Sequence, residues 1–204
     1  VYMARTQRAM DRLAKESGMN NLLKPLMEDD GAIVFHTPTV YVTERGGFLP
    51  RWMIDLNEDE MLVKELQELS SEIDRAFLEI LPIFLLDDDS AHAWETAKRR
   101  GVFLPIENKL KQIEQRLKPH QHTEEYKRVR DALLYWTIIP ARIGNTYAAN
   151  VPIAMHAALT LRNMNGSAIA AVGYGSGATG VADIFEVPED CRNYMNDIRE
   201  EVNG

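Results

Sequence analysis

The chain has 204 residues, 45% of them hydrophobic and 26% charged, the proportions of one soluble globular domain with a sizeable core. Its 23 Lys+Arg against 31 Asp+Glu give a formal net charge of -8, which repels phosphate backbones and argues against a nucleic-acid partner. A single cysteine, Cys191, rules out a disulfide framework within the chain and suits a reducing cytoplasm. No apolar run reaches the length of a bilayer span, and no apolar signal core follows Val1-Tyr2-Met3-Ala4-Arg5, so neither membrane insertion nor export is expected.

The first stretch, roughly residues 1–50, opens with a helical pattern. Met3, Met10 and Leu13 share one face, Arg5, Arg8, Arg12 and Lys15 surround it, and Gly18 with Asn20-Asn21 ends it. After the acidic turn Glu28-Asp29-Asp30-Gly31, the run Ala32-Ile33-Val34-Phe35 predicts a short strand buried on both faces. His36-Thr37-Pro38 stops it. A polar residue at the C-terminal end of a strand stands where α/β proteins build their sites.

Residues 51–135 predict a helical insertion or cap. Asn57 with Glu60 reads as a capping box, and Leu62, Leu66, Leu69, Ile73, Phe77 and Ile80 follow at helical spacing until Pro82 breaks the pattern. Asp87-Asp88-Asp89 suits the N-terminus of the next helix, and Lys98-Arg99-Arg100 its cationic end, rather than a cation site or a basic patch. Ile106, Leu110, Ile113 and Leu117 mark a further helix ended by Pro119, and Thr123 caps a last one through Tyr126, Val129 and Leu133. His120-Gln121-His122 lies in a loop with no third ligand, so no metal site is read there.

The last stretch, from Thr137, returns to small residues. Asn150 is placed to cap a helix from Val151, with Pro152 in its first turn and Ala154, Ala157, Ala158 and Leu161 packed closely on all sides. Asn165-Gly166 turns the chain into a buried strand over 168–172. Gly173-Tyr174-Gly175-Ser176-Gly177 reads as a glycine-dense turn, and 182–187 alternate as a closing strand.

Three segments combine polar groups or bare backbone with an apolar element: Phe35-His36-Thr37-Pro38, Ile143-Gly144-Asn145-Thr146-Tyr147, and Gly173-Tyr174-Gly175-Ser176-Gly177. Their order and type resemble the C-terminal half of 3-hydroxy-3-methylglutaryl-CoA synthases, most closely the archaeal form over residues 140–187. The resemblance covers about residues 1–40 and 137–187 and leaves the helical middle outside. It implies an α/β fold: the C-terminal half of a thiolase-like layered α-β-α-β-α fold spanning 1–204, with 51–135 as a helical insertion within it.

In that family a cysteine is acylated by acetyl-CoA, and a glutamate handles protons while the carbon–carbon bond to acetoacetyl-CoA forms. The resemblance carries over His36 as the histidine that serves the cysteine region and the second substrate, and Asn145 as a catalytic amide donor. Tyr147, Gly175, Ser176 and Gly177 carry over as substrate-binding members of the same pocket. No metal and no cofactor are implied beyond the acyl-CoA substrates. The nucleophile and the glutamate belong to the family's N-terminal half, and Cys191 lies past the last motif. Family members from animals and bacteria carry a lysine a few residues after the histidine, suited to CoA phosphates, where this chain reads Thr39-Val40-Tyr41-Val42.

Two readings stay open. The chain is a subunit or fragment of an acyl-CoA condensing enzyme, inactive alone, whose partner is an N-terminal thiolase-like half or a homologous Cys-bearing subunit. Archaeal relatives also associate with a thiolase and an OB-fold zinc protein. Otherwise it is a non-catalytic thiolase-like binding or scaffold subunit. Gly144-Asn145-Thr146 followed by Val151-Pro152-Ile153 also resembles ketoacyl-synthase-III-like condensing enzymes.

Overall fold

The computed structural model describes residues 2–37, 39–86, 89–134, 137–143, 146, 149–175 and 179–193. Helix α1 (Tyr2–Glu16) buries Met3, Met10 and Leu13, as their spacing requires, and Gly18 leaves it through a left-handed turn at φ 68°. Helix α2 (Leu23–Glu28) leads into strand β1 (Ala32–Phe35), whose four residues are wholly buried. A short helix α3 (Val40–Thr43) is capped by Thr39, whose hydroxyl accepts the Val42 N–H at 3.2 Å.

The chain then widens into a π-helical turn over Glu44–Phe48 before helix α4 (Leu49–Asn57). Such a turn strains the backbone ladder, and here α1 supplies compensation. The Gln7 amide donates to the Gly47 carbonyl at 2.7 Å, and the Thr6 hydroxyl lies 3.3 Å from that of Gly46. Both glycines are also needed for space. A Cβ at Gly46 would sit 2.9 Å from the Tyr2 ring, and one at Gly47 3.0 Å from the Phe35 ring.

Helix α5 (Glu60–Leu86) corrects two expectations. Asn57 is the last residue of α4, and the cap is Asp59, whose carboxylate accepts the Leu62 N–H at 2.9 Å. Pro82 does not break the helix, which continues to Leu86. The proline removes one hydrogen bond, to the carbonyl of Leu78. Both residues lie on the exposed side, where solvent can reach that oxygen.

Helices α6 (Ser90–Arg99), α7 (Leu104–Leu117) and α8 (Glu124–Leu134) follow. Asp89 caps α6 through the Ala91 and His92 N–H groups, and the Thr123 hydroxyl accepts from Tyr126 at 3.3 Å to cap α8. Asp87 and Asp88 lie outside the described residues. Short helix α9 (Ile138–Ile143) and helix α10 (Asn150–Leu161) lead to the hairpin of β2 (Ala168–Gly175) and β3 (Thr179–Glu186). Against expectation, Gly173, Tyr174 and Gly175 belong to β2 and pair with Val181, Gly180 and Thr179 rather than forming a turn.

The fold is therefore mixed α/β and mostly helical. Its three-stranded sheet has the order β1-β2-β3, with β1 parallel to β2 and β3 antiparallel. Helix α1 packs on β2 and β3, α10 on β1 and β2, and α2 and α8 contact β1. One continuous core joins Met10, Val34, Trp52, Leu69, Tyr126, Ala157 and Val172, so the helical middle shares its interior with the sheet.

A buried ion cluster fastens α1, α2 and α4. The Arg51 guanidinium pairs with Asp55 and reaches Asp11 at 2.5 Å, while Asp55 accepts the Leu22 and Leu23 N–H groups at 2.7 and 2.9 Å. Helix α10 is buried at Ala154, Ala157 and Ala158 but leaves Leu161 exposed, so it is not enclosed on all sides. Strand β3 likewise turns one face outward. Gly180 presses on α1, and the alternate residues Val181, Asp183 and Phe185 are exposed. Among the described residues no helix is long and apolar enough to cross a membrane.

Candidate active site

His36 is the first residue beyond β1. Its N–H donates to the Val172 carbonyl at 2.7 Å, extending the parallel ladder by one step, so His36 lies beside Gly173 of β2. Its carbonyl accepts the Tyr2 hydroxyl at 3.0 Å. The Tyr2 ring is in turn set against Tyr174, with centroids 5.1 Å apart. Burial raises the Tyr2 phenol far above its ordinary pKa, which keeps it a hydrogen-bond donor.

Thr37 is held more firmly still. Its N–H donates to Asn150 Oδ1 at 2.8 Å, and Asn150 Nδ2 donates to the Thr37 carbonyl at 3.2 Å. The Thr37 hydroxyl donates to the Phe35 carbonyl at 2.9 Å. Asn150 was expected to cap α10. It is instead the first residue of that helix, with Ala149 in the cap position, and its amide spans to the chain beyond β1. A buried Asn with both amide atoms on one backbone unit acts as a clamp, tying the His36 segment to the start of α10. The sequence carried one signal for it, a polar amide among alanines at the head of an apolar helix.

With the backbone of residues 35–37 fixed on both sides, the imidazole is the adaptable part. It is half-buried, and this burial lowers its pKa below the ordinary value. At neutral pH it is uncharged, able to accept a proton at one nitrogen and donate at the other. Beside it a Cβ at Gly173 would meet nothing closer than the Val181 carbonyl at 3.8 Å, so packing does not require glycine there. The bare backbone leaves space next to His36.

A cleft of about 370 Å³ opens between α3 and α8, lined by Val40, Thr43, Glu44, Arg130 and Leu134 among others. Glu44 at its wall accepts from the Tyr126 hydroxyl at 3.3 Å and from the Gln121 amide at 3.4 Å. This carboxylate, on the turn that follows the histidine segment, was not singled out from the sequence.

Cys191 lies elsewhere. Arg192 N–H donates to Asn165 Oδ1 and the Val187 N–H to the Ser167 carbonyl, which puts Cys191 by the start of β2. His36 stands at the other end of that strand, roughly 20 Å away at about 3.3 Å per residue. Cys191 is thus no nucleophile for His36.

Of the site residues read from the sequence, His36 and Gly175 are described, at the ends of β1 and β2. Asn145, Tyr147, Ser176 and Gly177 lie outside the described residues, as do Pro38 and Gly144. Thr146 is described. Its carbonyl accepts the Ala149 N–H at 3.2 Å, and its buried hydroxyl has no hydrogen-bond partner among the described residues. Among those residues no group of three His, Cys, Asp or Glu could hold a metal ion; His120 instead sets its ring against Trp52. No family model, no curated protein and no solved structure matches this chain.

Proposed function

We propose that this chain supplies the histidine–asparagine side of an acyl-CoA condensing enzyme resembling 3-hydroxy-3-methylglutaryl-CoA synthase, with the nucleophilic cysteine and the proton-handling glutamate coming from another thiolase-like half. The observation that carries the reading is the pair of hydrogen bonds between Thr37 and Asn150. It ties the segment after β1 to the head of α10, just past the second motif, and the His36 N–H on the Val172 carbonyl sets the histidine beside Gly173, where the third begins. The C-terminal end of a strand is where α/β folds place their sites, which supports the reading.

In this reading the neutral His36 imidazole hydrogen-bonds the acylated cysteine region and the carbonyl of the second thioester. Asn145 donates to the oxygen on which charge develops, and Tyr147, Gly175, Ser176 and Gly177 line the acyl pocket. The open outer face of β3 and exposed Leu161 suit completion of a layered thiolase-like fold by the missing half. A thiolase and an OB-fold zinc protein are further partners by the same resemblance.

The test starts with the native mass and chain content of the protein taken from its own source. The Cys-bearing half, on a second chain or on the same polypeptide, is then assayed with this one on acetyl-CoA and acetoacetyl-CoA. His36→Ala is expected to cut condensation by at least about 100-fold, the usual worth of a positioned acid–base group. An unchanged rate overturns the proposal. The scaffold reading is favoured by the uncharged residues Thr39–Val42 where the family has lysine. It takes over if the natural partner is complete without this chain.

A further inference from the structure

A second cleft, of about 540 Å³, opens among α5, α6 and α7 and shares no lining residue with the one beside α3. Three aromatic rings line it, those of Phe77, Trp94 and Phe103. The Phe103 ring touches both of the others: its centroid is 5.7 Å from that of Phe77, edge-on at 68°, and 5.6 Å from that of Trp94, tilted at 45°. Trp94 remains 40% exposed, so the rings pack on one another without sealing the space beside them. The turn from α6 to α7 passes through Gly101 at φ 67°, where a Cβ would meet nothing within 4 Å, and the mouth stays open.

The two walls carry opposite charges. Lys98 stands one turn after Trp94 on α6, and Glu107 one turn after Phe103 at the start of α7, so each wall presents a ring with a charge beside it. Among the described residues the Glu107 carboxylate has no cationic partner. Lys98 is paired with Glu95 at 2.9 Å, but the two side chains are 58% and 57% exposed, where such a pair is weak. Glu95 also has a second cation: the Lys98 hydrogen bond, then the charges of Lys98 and Arg99, hold its carboxyl below the ordinary range. Lys98 can therefore turn to another carboxylate and leave Glu95 to Arg99. A purely anionic guest would face Glu107, and a purely cationic one Lys98. A guest with both charges meets a partner on each wall.

We infer that this cleft binds a small zwitterion with an aromatic side group, its ring against Trp94 and Phe103, its carboxylate on Lys98 and its ammonium on Glu107. The volume is that of an ordinary ligand site. Among three rings an aromatic guest gains more than the area it buries, which favours it over an aliphatic chain. A guest of about 15 non-hydrogen atoms, at the modest efficiency of drug-sized ligands, binds with a Kd of about 0.5 mM. The inference stands independently of the condensing-enzyme reading.

L-tryptophan titrated to about 5 mM into the isotope-labelled 204-residue chain tests it by NMR, reaching well past that Kd. The expected result is a saturable shift of backbone amides confined to the residues lining the cleft. N-acetyl-L-tryptophan, which lacks the ammonium, and L-tryptophanamide, which lacks the carboxylate, should each bind at least about 5-fold more weakly. Glu107→Gln should abolish the preference over the acetyl compound, and Lys98→Met the preference over the amide. Both side chains are exposed, so the fold is retained. Trp94→Ala should remove the saturable shift altogether. No saturable shift over that range, shifts centred elsewhere, equal binding of all three compounds, or preferences that survive both charge variants overturn the inference.

Discussion

Replacing Asn150 by Ala separates a clamp from a helix cap. Asn150 is 1% exposed and makes two hydrogen bonds to Thr37, 2.8 Å to its N–H and 3.2 Å to its carbonyl. The alanine variant leaves both backbone groups buried without partners. At about 1–3 kcal/mol for each orphaned group, and less for the longer bond, the loss is about 2–4 kcal/mol. For a chain of this size that corresponds to a fall in melting temperature of about 5–15 °C. A mere cap would cost about 1 kcal/mol, or a few degrees. The second readout is the His36 imidazole, followed by NMR with the other histidines as internal references. Losing the clamp should shift its resonances, because Thr37 adjoins it, whereas losing a cap should not. A fall below about 3 °C with an unmoved His36 signal would refute the reasoning.

Three further outcomes follow from the geometry. Asp55→Ala strips Arg51 of its closest carboxylate and removes the acceptor of the Leu22 and Leu23 N–H groups; chemical denaturation should show a loss of about 3–5 kcal/mol, and a loss under 1 kcal/mol would contradict a buried pair. Gly180→Ala places a Cβ 2.5 Å from the Arg5 carbonyl oxygen, which is backbone and cannot swing aside, so α1 must shift at a cost of about 1–3 kcal/mol. Gly173→Ala, with no close neighbour, is the near-neutral control. His36 should titrate below about 6.5, its unperturbed value, because burial disfavours the imidazolium. The unfolded chain then binds the proton more readily than the folded one. The contribution of His36 to stability is present above about pH 6.5 and is lost as pH falls through the window beneath it. A titration midpoint at or above 6.5 by NMR, or a pH dependence unchanged in His36→Gln, would count against it.

What the sequence showed was local periodicity. The apolar face of α1 and the continuous run of β1 are each set by burial over a few residues and stand where the pattern put them, while the strand expected over 182–187 begins earlier and runs Thr179–Glu186. The misreadings have physical causes of the opposite kind. Asn57 and Asp59 both suit a cap, and the choice between them depends on where α4 ends. Pro82 is tolerated because of which side of α5 faces water, which no local rule fixes. Glycines at 173 and 175 permit a turn but do not compel one when β3 offers a ladder. Asn150 has a partner 113 residues away, so its neighbours mark it as an unusual polar residue but do not name what it clamps.

That separation also bears on the helical middle. If residues 51–135 were a detachable cover, shortening them would cost little, since closing a loop half as long changes the entropy by only about 0.6 kcal/mol. They are not detachable in that sense. Trp52 at 2% exposure and Tyr126 at 0% share one core with β1, and Tyr126 sets its ring edge against Trp52 with centroids 5.2 Å apart. The Phe48 ring, at the end of the π-helical turn, is 5.8 Å from Tyr126, and that same turn receives the Phe35 ring against Gly47. Phe35 immediately precedes His36. The position of the imidazole therefore rests on three distant supports: Tyr2 from the start of the chain, Asn150 from its last third, and the aromatic core of the helical middle beneath Phe35. Removing the middle would take the floor from the site rather than a lid from its top.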